Sequence, residues 1–571
     1  MPSPLYFGPA DRPLFGWLHG VARPARLGLV VCSPFGYEAV CAHRALRHFA
    51  AAAAQVGVPA LRFDYDGTGD SAGDDRDPDR VGAWIRSIGH AADALRRTSG
   101  VERVCLLGVR LGALLAAQAA LGRDDYEGLI AVAPVTSGKA YARELKALQM
   151  ATATEPAPED LAVAVEGDEA LGFLIAPETK AALSAQDLLK LDRAPARAVL
   201  ILDRSDLPSG EKWAAHLSAQ GVAVEREILP GYVEMMLDAD KTSVPEPMIA
   251  AAQRWLQARQ GAGTRAMPHV AQVARAALPE VVETAVSVDD DHPLAGILAE
   301  PATARRSGEA LVLLNAGGVH HIGPNRLWVS LARRWAAAGH VVLRCDLSGV
   351  GDSAPRPDEP ENAIYTAHAA RDIEATVAWV RRQRGVERVS LIGLCSGAYH
   401  AFKAAAAGAA IDGVVCINPL VFFYEPEASA RVAHSTSESS RYLKSARDLG
   451  AWKKLLRGEV HFRQMVRVFV RRGSGLVDGL RKEVLRRLGV RLEEDLAAEL
   501  RAIDERGIAL RFVFAGDDPG LPLLRTQGGA TVERLREQGR LSIEIIPRAG
   551  HTFTAAWAQA ALVALLGKHF G

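Results

Sequence analysis

The chain has 571 residues, too many for one ordinary hydrophobic core, so a division into two or more domains is expected. Its 67 Lys and Arg balance 67 Asp and Glu, which argues against a general nucleic-acid binder. The start, Met1-Pro2-Ser3-Pro4-Leu5-Tyr6, lacks a secretory pattern, and the longest apolar stretch, Leu106 to Leu121, is alanine-rich and broken by Arg110, so no membrane span is expected. Six cysteines stand at 32, 41, 105, 345, 395 and 416, with no Cys-x-x-Cys pair and four in apolar strand-like runs. That usage suits a reduced, cytoplasmic setting in which most thiols are small core residues.

The first half opens with a hairpin around Arg12-Pro13-Leu14-Phe15-Gly16. Strand Leu27 to Cys32 leads into Ser33-Pro34-Phe35-Gly36, and after a helix strand Ala60 to Phe63 leads into Asp64-Tyr65-Asp66-Gly67-Thr68-Gly69-Asp70-Ser71. A helix from about Arg80 to Thr98 precedes strand Val101 to Leu107, which ends in Gly108-Val109-Arg110-Leu111-Gly112.

The second half repeats this order. Strand Ala310 to Leu314 leads into Asn315-Ala316-Gly317-Gly318, and strand His340 to Arg344 into Asp346-Leu347-Ser348-Gly349-Val350-Gly351-Asp352-Ser353. Gly385-Val386-Glu387-Arg388-Val389 mirrors Gly100-Val101-Glu102-Arg103-Val104, so Cys395 corresponds to Arg110 across an offset of roughly 285 residues. This is a duplication of whole domains. Alternating short strands and helices predict an α/β protein, each half a mainly parallel sheet flanked by helices. The expected domains are 1–260 and 279–571, joined by a linker over 261–278, with a helical lid inserted at about 422–500.

Gly393-Leu394-Cys395-Ser396-Gly397 closes an apolar run and opens a small-residue segment, the Gly-x-nucleophile-x-Gly pattern of a nucleophile elbow with cysteine in place of serine. Such an elbow requires an acid and then a histidine later in the chain. Strand Leu510 to Ala515 ends in Gly516-Asp517-Asp518-Pro519, and strand Ser542 to Ile546 in Pro547-Arg548-Ala549-Gly550-His551. His551 is the expected base and Asp518 the residue that orients it, with Asp517 the runner-up. The oxyanion donors are expected from the Ser396 N–H and one N–H of Ala316 to Gly318, Ala316 and Gly317 foremost. In the first half Arg110 replaces the nucleophile, and matching Gly231 to Gly550 puts Tyr232 at the histidine position, with Asp203 or Asp206 left at the acid's place. Arginine does not give up its proton to attack a carbonyl, so this domain is expected to be a degenerate, non-catalytic copy. His320-His321 lacks ligand partners in sequence, and neither a metal nor a cofactor is expected.

Together these residues resemble the α/β-hydrolase superfamily in both halves. More closely, the halves resemble the two hydrolases that accompany exosortase A systems in exopolysaccharide gene clusters. Gly108 to Leu115 and Pro134-Val135-Thr136-Ser137-Gly138-Lys139 are similar to the arginine-bearing type, and Gly393 to Gly397 with Asn418-Pro419-Leu420 to the cysteine-bearing type. The cysteine elbow is also similar to that of the bile acid-CoA:amino acid N-acyltransferases, which use a Cys-Asp-His triad.

A thiolate exchanges acyl groups readily with thioesters, and a histidine partner favours the thiolate. The expected reaction is therefore acyl transfer or thioester hydrolysis through an acyl-thioester on Cys395. Its donor would be acyl-CoA or an acyl carrier protein, and its acceptor a small molecule or water. The segment from Arg441 to Arg491 is rich in Lys and Arg interleaved with Leu455, Leu456, Phe462, Val466 and Phe469, which suits a helical lid over an acidic donor. The rival readings are a simple esterase or peptidase, and a non-catalytic scaffold in an exopolysaccharide or secondary-metabolite pathway.

Overall fold

The computed structural model describes residues 2–20, 24–152, 157–159, 166–261, 274–289, 291–303, 307–424 and 494–570. Two large sheets account for the two halves. The first has eight strands in the spatial order Ser3–Phe7, Leu14–His19, Ala60–Phe63, Leu27–Cys32, Arg103–Val109, Tyr126–Val132, Ala198–Arg204, Ala223–Leu229. The second has nine, in the order Arg275–Ala277, Val281–Val288, Leu294–Pro301, Val341–Cys345, Glu309–Leu313, Arg388–Leu394, Gly413–Ile417, Ala509–Ala515, Leu541–Ile546. Apart from the extra edge strand the orders are the same: an antiparallel lead-in followed by parallel strands joined through helices. The central strands are buried along almost their whole length, as parallel strands covered on both faces must be.

Residues 262–273 of the expected linker lie outside the described residues. Its far end needs correction: Arg275–Ala277 pairs with Val282 to Thr284 and belongs to the second sheet. The expected lid falls mostly within 425–493, outside the described residues. Its last part is core instead, because helix Leu496–Glu505 buries Leu496, Leu500 and Ile503 under the second sheet.

The duplication is visible in hydrogen bonds. In the first half Ser71 Oγ donates to Asp64 O (2.7 Å), Asp70 N to Asp64 Oδ2 (2.9 Å) and Phe15 N to Ser71 Oγ (2.9 Å). Ser353, Asp346, Asp352 and Ala295 repeat the three bonds at the same lengths.

These two loops also join the halves, reciprocally. Buried Arg62 pairs with Asp352, and buried Arg344 with Asp70. Between them His321 is held by Asp346 (Nδ1, 2.8 Å) and Asp70 (Nε2, 2.7 Å), and the carboxylates outweigh burial to raise its pKa well above the usual imidazole value. Arg326 donates to the carbonyls of Gly67, Gly69, Ser71 and Gly73. An apolar cluster of Tyr6, Phe15 and Trp17 with Ala276, Ala285, Ala295 and Ile297 completes the junction. Burying charges is costly unless every one is paired, so this interface is specific to these two surfaces.

Candidate active site

Strand Arg388–Leu394 turns into helix Ser396–Ala407 at Cys395, whose φ of 58° and ψ of −115° place it in strained backbone. The glycines are steric necessities. A methyl on Gly393 would lie 2.1 Å from the Gly397 carbonyl carbon, and one on Gly397 would lie 2.4 Å from Asn315 O. Cys395 N donates to Ile417 O (2.9 Å), tying the corner to the neighbouring strand. Of the six cysteines only Cys395 is not buried.

His551 stands on the loop after strand Leu541–Ile546. Its Nδ1 lies 2.6 Å from Asp518 Oδ2, and the other Asp518 oxygen accepts from Gly520 N (2.9 Å). Asp518 is buried, whereas Asp517 is exposed. His551 Nε2 is buried without a hydrogen-bond partner. Burial opposes the imidazolium, but Cys395 and Asp518 outweigh it and push His551 up to about 10.

Asn418, to which the sequence reading gave no role, sets the height of this loop. Its Nδ2 donates to His551 O (2.5 Å) and its Oδ1 accepts from Ala515 N (2.8 Å), so one buried amide joins the histidine loop to the strand before the acid. Its φ of 46°, unusual outside glycine, was not legible in sequence.

Ala316 and Gly317 follow strand Glu309–Leu313 and approach the elbow. The Gly317 N–H donates to Ser396 Oγ (2.9 Å) and is committed there. Ser396 is the first residue of its helix, where backbone N–H groups have no intrahelical acceptor.

The first half has the same corner with a different occupant. Arg110 takes φ 53° and ψ −118°, between Gly108 and Gly112. Its Nε donates to Glu38 (2.8 Å) and its Nη2 to Glu144 (2.6 Å), while Tyr141 OH donates to the second Glu38 oxygen (2.9 Å). Tyr232 is buried beneath Arg204, whose guanidinium lies 4.0 Å from the ring centre, and Arg110 is 6.0 Å from the same ring. Asp206 pairs with Arg204 and Asp203 with Arg226, so arginines hold both carboxylates.

Residues 40–201 match the family described as serine aminopeptidase, S33, and residues 311–564 match the alpha/beta hydrolase family. The chain is two α/β-hydrolase domains in tandem.

No curated protein matches the tandem hydrolase chain. Among solved structures, Est1E from Butyrivibrio proteoclasticus with bound ferulic acid is 18% identical, covering 44% of this chain and 97% of its own, with a TM-score of 0.35. Dienelactone hydrolase from Anabaena variabilis is 16% identical over 51% and 97%, with a TM-score of 0.29. Proline iminopeptidase from Mycobacterium smegmatis is 16% identical over 45% and 98%, with a TM-score of 0.31.

A cavity of about 460 Å³ lies between the two hydrolase domains, and Cys395, His551 and Asp518 do not line it. His321, Asp346 and Asp352 beside it offer ligand atoms within 4.8 Å of one another. Both His321 nitrogens are hydrogen-bonded to carboxylates, Nδ1 to Asp346 and Nε2 to Asp70. Among the described residues no helix is long and apolar enough to cross a membrane.

Proposed function

We propose that the second domain forms an acyl-thioester on Cys395 from a CoA or carrier-protein thioester and passes the acyl group to a small-molecule acceptor or to water. The observation that carries this reading is His551, bonded to Asp518 at Nδ1, with its buried Nε2 left without a hydrogen-bond partner and its pKa raised by Cys395. The Cys395 sulfur attacks the donor carbonyl, and the oxyanion is received by the Ser396 and Ala316 N–H groups. The C–S bond to the donor breaks, and His551 protonates the departing thiolate. His551 then takes the proton of the acceptor as it attacks the acyl-enzyme, and the Cys395 sulfur leaves. The first domain takes no part in these bond changes, since a guanidinium between two glutamates holds the nucleophile's corner. The donor class rests on thiol–thioester chemistry and on the basic segment from Arg441 to Arg491, which lies outside the described residues.

The test is intact-mass measurement after incubation with a panel of acyl-CoA thioesters, beside matched oxygen esters and peptides. The expected result is one acyl increment that maps to Cys395 and vanishes in Cys395→Ala. Turnover of oxygen esters or peptides with no thioester reaction would make the domain an esterase or peptidase. Reaction with none of them would leave the scaffold reading.

A further inference from the structure

We propose that segment 238–242 of the first domain is the support that holds the oxyanion loop Ala316–Gly318 of the second, making the inactive domain a positioning part of the active site. The inference rests on the acyl-transfer reading above. The contact is between backbones. A methyl on Gly318 would lie 2.6 Å from Ala239 O and 2.8 Å from Asp240 N, so the Ala239–Asp240 peptide lies directly against this glycine. Ala239 O accepts from Asn362 Nδ2 (2.9 Å), and Asn362 N donates to Gly349 O (2.8 Å), which fixes the second domain's side of the joint. Arg44 ties both sides with one guanidinium: Nη1 donates to Thr242 O (2.9 Å) and Nε to Glu361 (2.8 Å), which Arg47 and His48 also hold. Within the first domain Tyr37 OH donates to Asp238 (2.9 Å).

Ala316-Gly317-Gly318 needs such a support. Adjacent glycines leave a loop with the most backbone freedom to lose, and oxyanion donors act by being fixed before charge develops. On its inner side the loop is pinned through Gly317 N to Ser396 Oγ, and on its outer side by the first domain.

The test compares Gly318→Ala and Asn362→Asp in the full chain with the unmodified protein, reading acyl-enzyme formation and iodoacetamide alkylation of Cys395. Asn362 has a φ of 66°, which aspartate tolerates while losing the amide donor. Alkylation displaces iodide and builds no oxyanion, so it reports the thiol and His551 alone. The limiting acylation rate is expected to fall about 100-fold in Gly318→Ala and about tenfold in Asn362→Asp. Half-saturating donor concentration and alkylation rate should stay within about twofold, because binding and thiol reactivity do not use the oxyanion loop. Unchanged acylation, or alkylation falling in parallel with acylation, would overturn the proposal. If Gly318→Ala does not fold, Asn362→Asp carries the same comparison. An unmodified protein that forms no acyl-enzyme with any thioester would instead remove the acyl-transfer reading, before any variant is compared.

Discussion

Arg110 and Cys395 stand on the same strained corner, φ 53° and ψ −118° in one domain, 58° and −115° in the other. The strain therefore belongs to the strand–turn–helix scaffold and its glycines, whatever residue occupies the corner. What differs is the surroundings. Cys395 faces a histidine held by a buried aspartate, and Arg110 is buried between two glutamates with a tyrosine at the histidine position. One corner keeps a polar group unpartnered, as a reacting site needs. The other satisfies every charge, as a structural site needs.

The comparison breaks most sharply at the nucleophile. Cys395→Ala is expected to lower acyl transfer by roughly 10⁴-fold or more, and Cys395→Ser to retain the fold while losing most of the rate. Loss of turnover in Arg110→Ala with survival in Cys395→Ala would move the chemistry to the first domain. Next, Asp518→Asn should cost about 10³- to 10⁴-fold in kcat by releasing the His551 ring, whereas exposed Asp517→Asn should stay within a few-fold. The reverse ranking in steady-state kinetics would reassign the acid.

A third effect falls on the joint. Arg344→Met removes the buried cation shared by Asp70 and Glu283, which keep His321 and Arg333 as partners, and the denaturant midpoint should shift by the equivalent of about 1–3 kcal/mol. A midpoint within experimental error of the unmodified protein would show that the reciprocal pairs do not hold the domains.

Alkylation against pH sharpens the comparison further. Burial raises the pKa of Cys32, Cys105, Cys345 and Cys416 well above the ordinary thiol value and pushes Cys41 up to about 12, so these five should stay unlabelled at mildly acidic pH while Cys395 reacts. His551 rises from 6.5 to about 10, so the stabilisation its charged form brings is complete below pH 6.5 and is lost as pH rises through about 10. In His551→Gln the mildly acidic reactivity of Cys395 should disappear. Even labelling of all six thiols would remove the distinction between the corners. The smallest effect is expected in the first domain: Arg110→Ala should leave Cys395 acylation within a few-fold, although it removes the cation between Glu38 and Glu144.

Much of this architecture is written locally in the chain. Buried parallel strands need continuous apolar runs, the elbow needs glycine on both sides of its corner, and the acid and histidine sit on loops directly after strands. Each requirement acts on residues a few positions apart, so the sequence alone determined the tandem duplication, the corners at Arg110 and Cys395, and the order of cysteine, aspartate and histidine. Tertiary structure decided the rest. Asp517 and Asp518 are the same residue type on one turn, and only the fold separates them, by burying Asp518 against His551 and leaving Asp517 exposed. The commitment of Gly317 N–H to Ser396, the double bond of Asn418 to two loops, and the pressing of Ala239 onto Gly318 all join residues distant in sequence. The Arg62–Asp352 and Arg344–Asp70 pairs are hidden for the same reason, since aspartates in Gly-rich loops look like turn formers until a second domain supplies their partners. Local sterics mark the residues beside them. Long-range pairing leaves no mark on either partner, because its specificity lies in where the fold brings them.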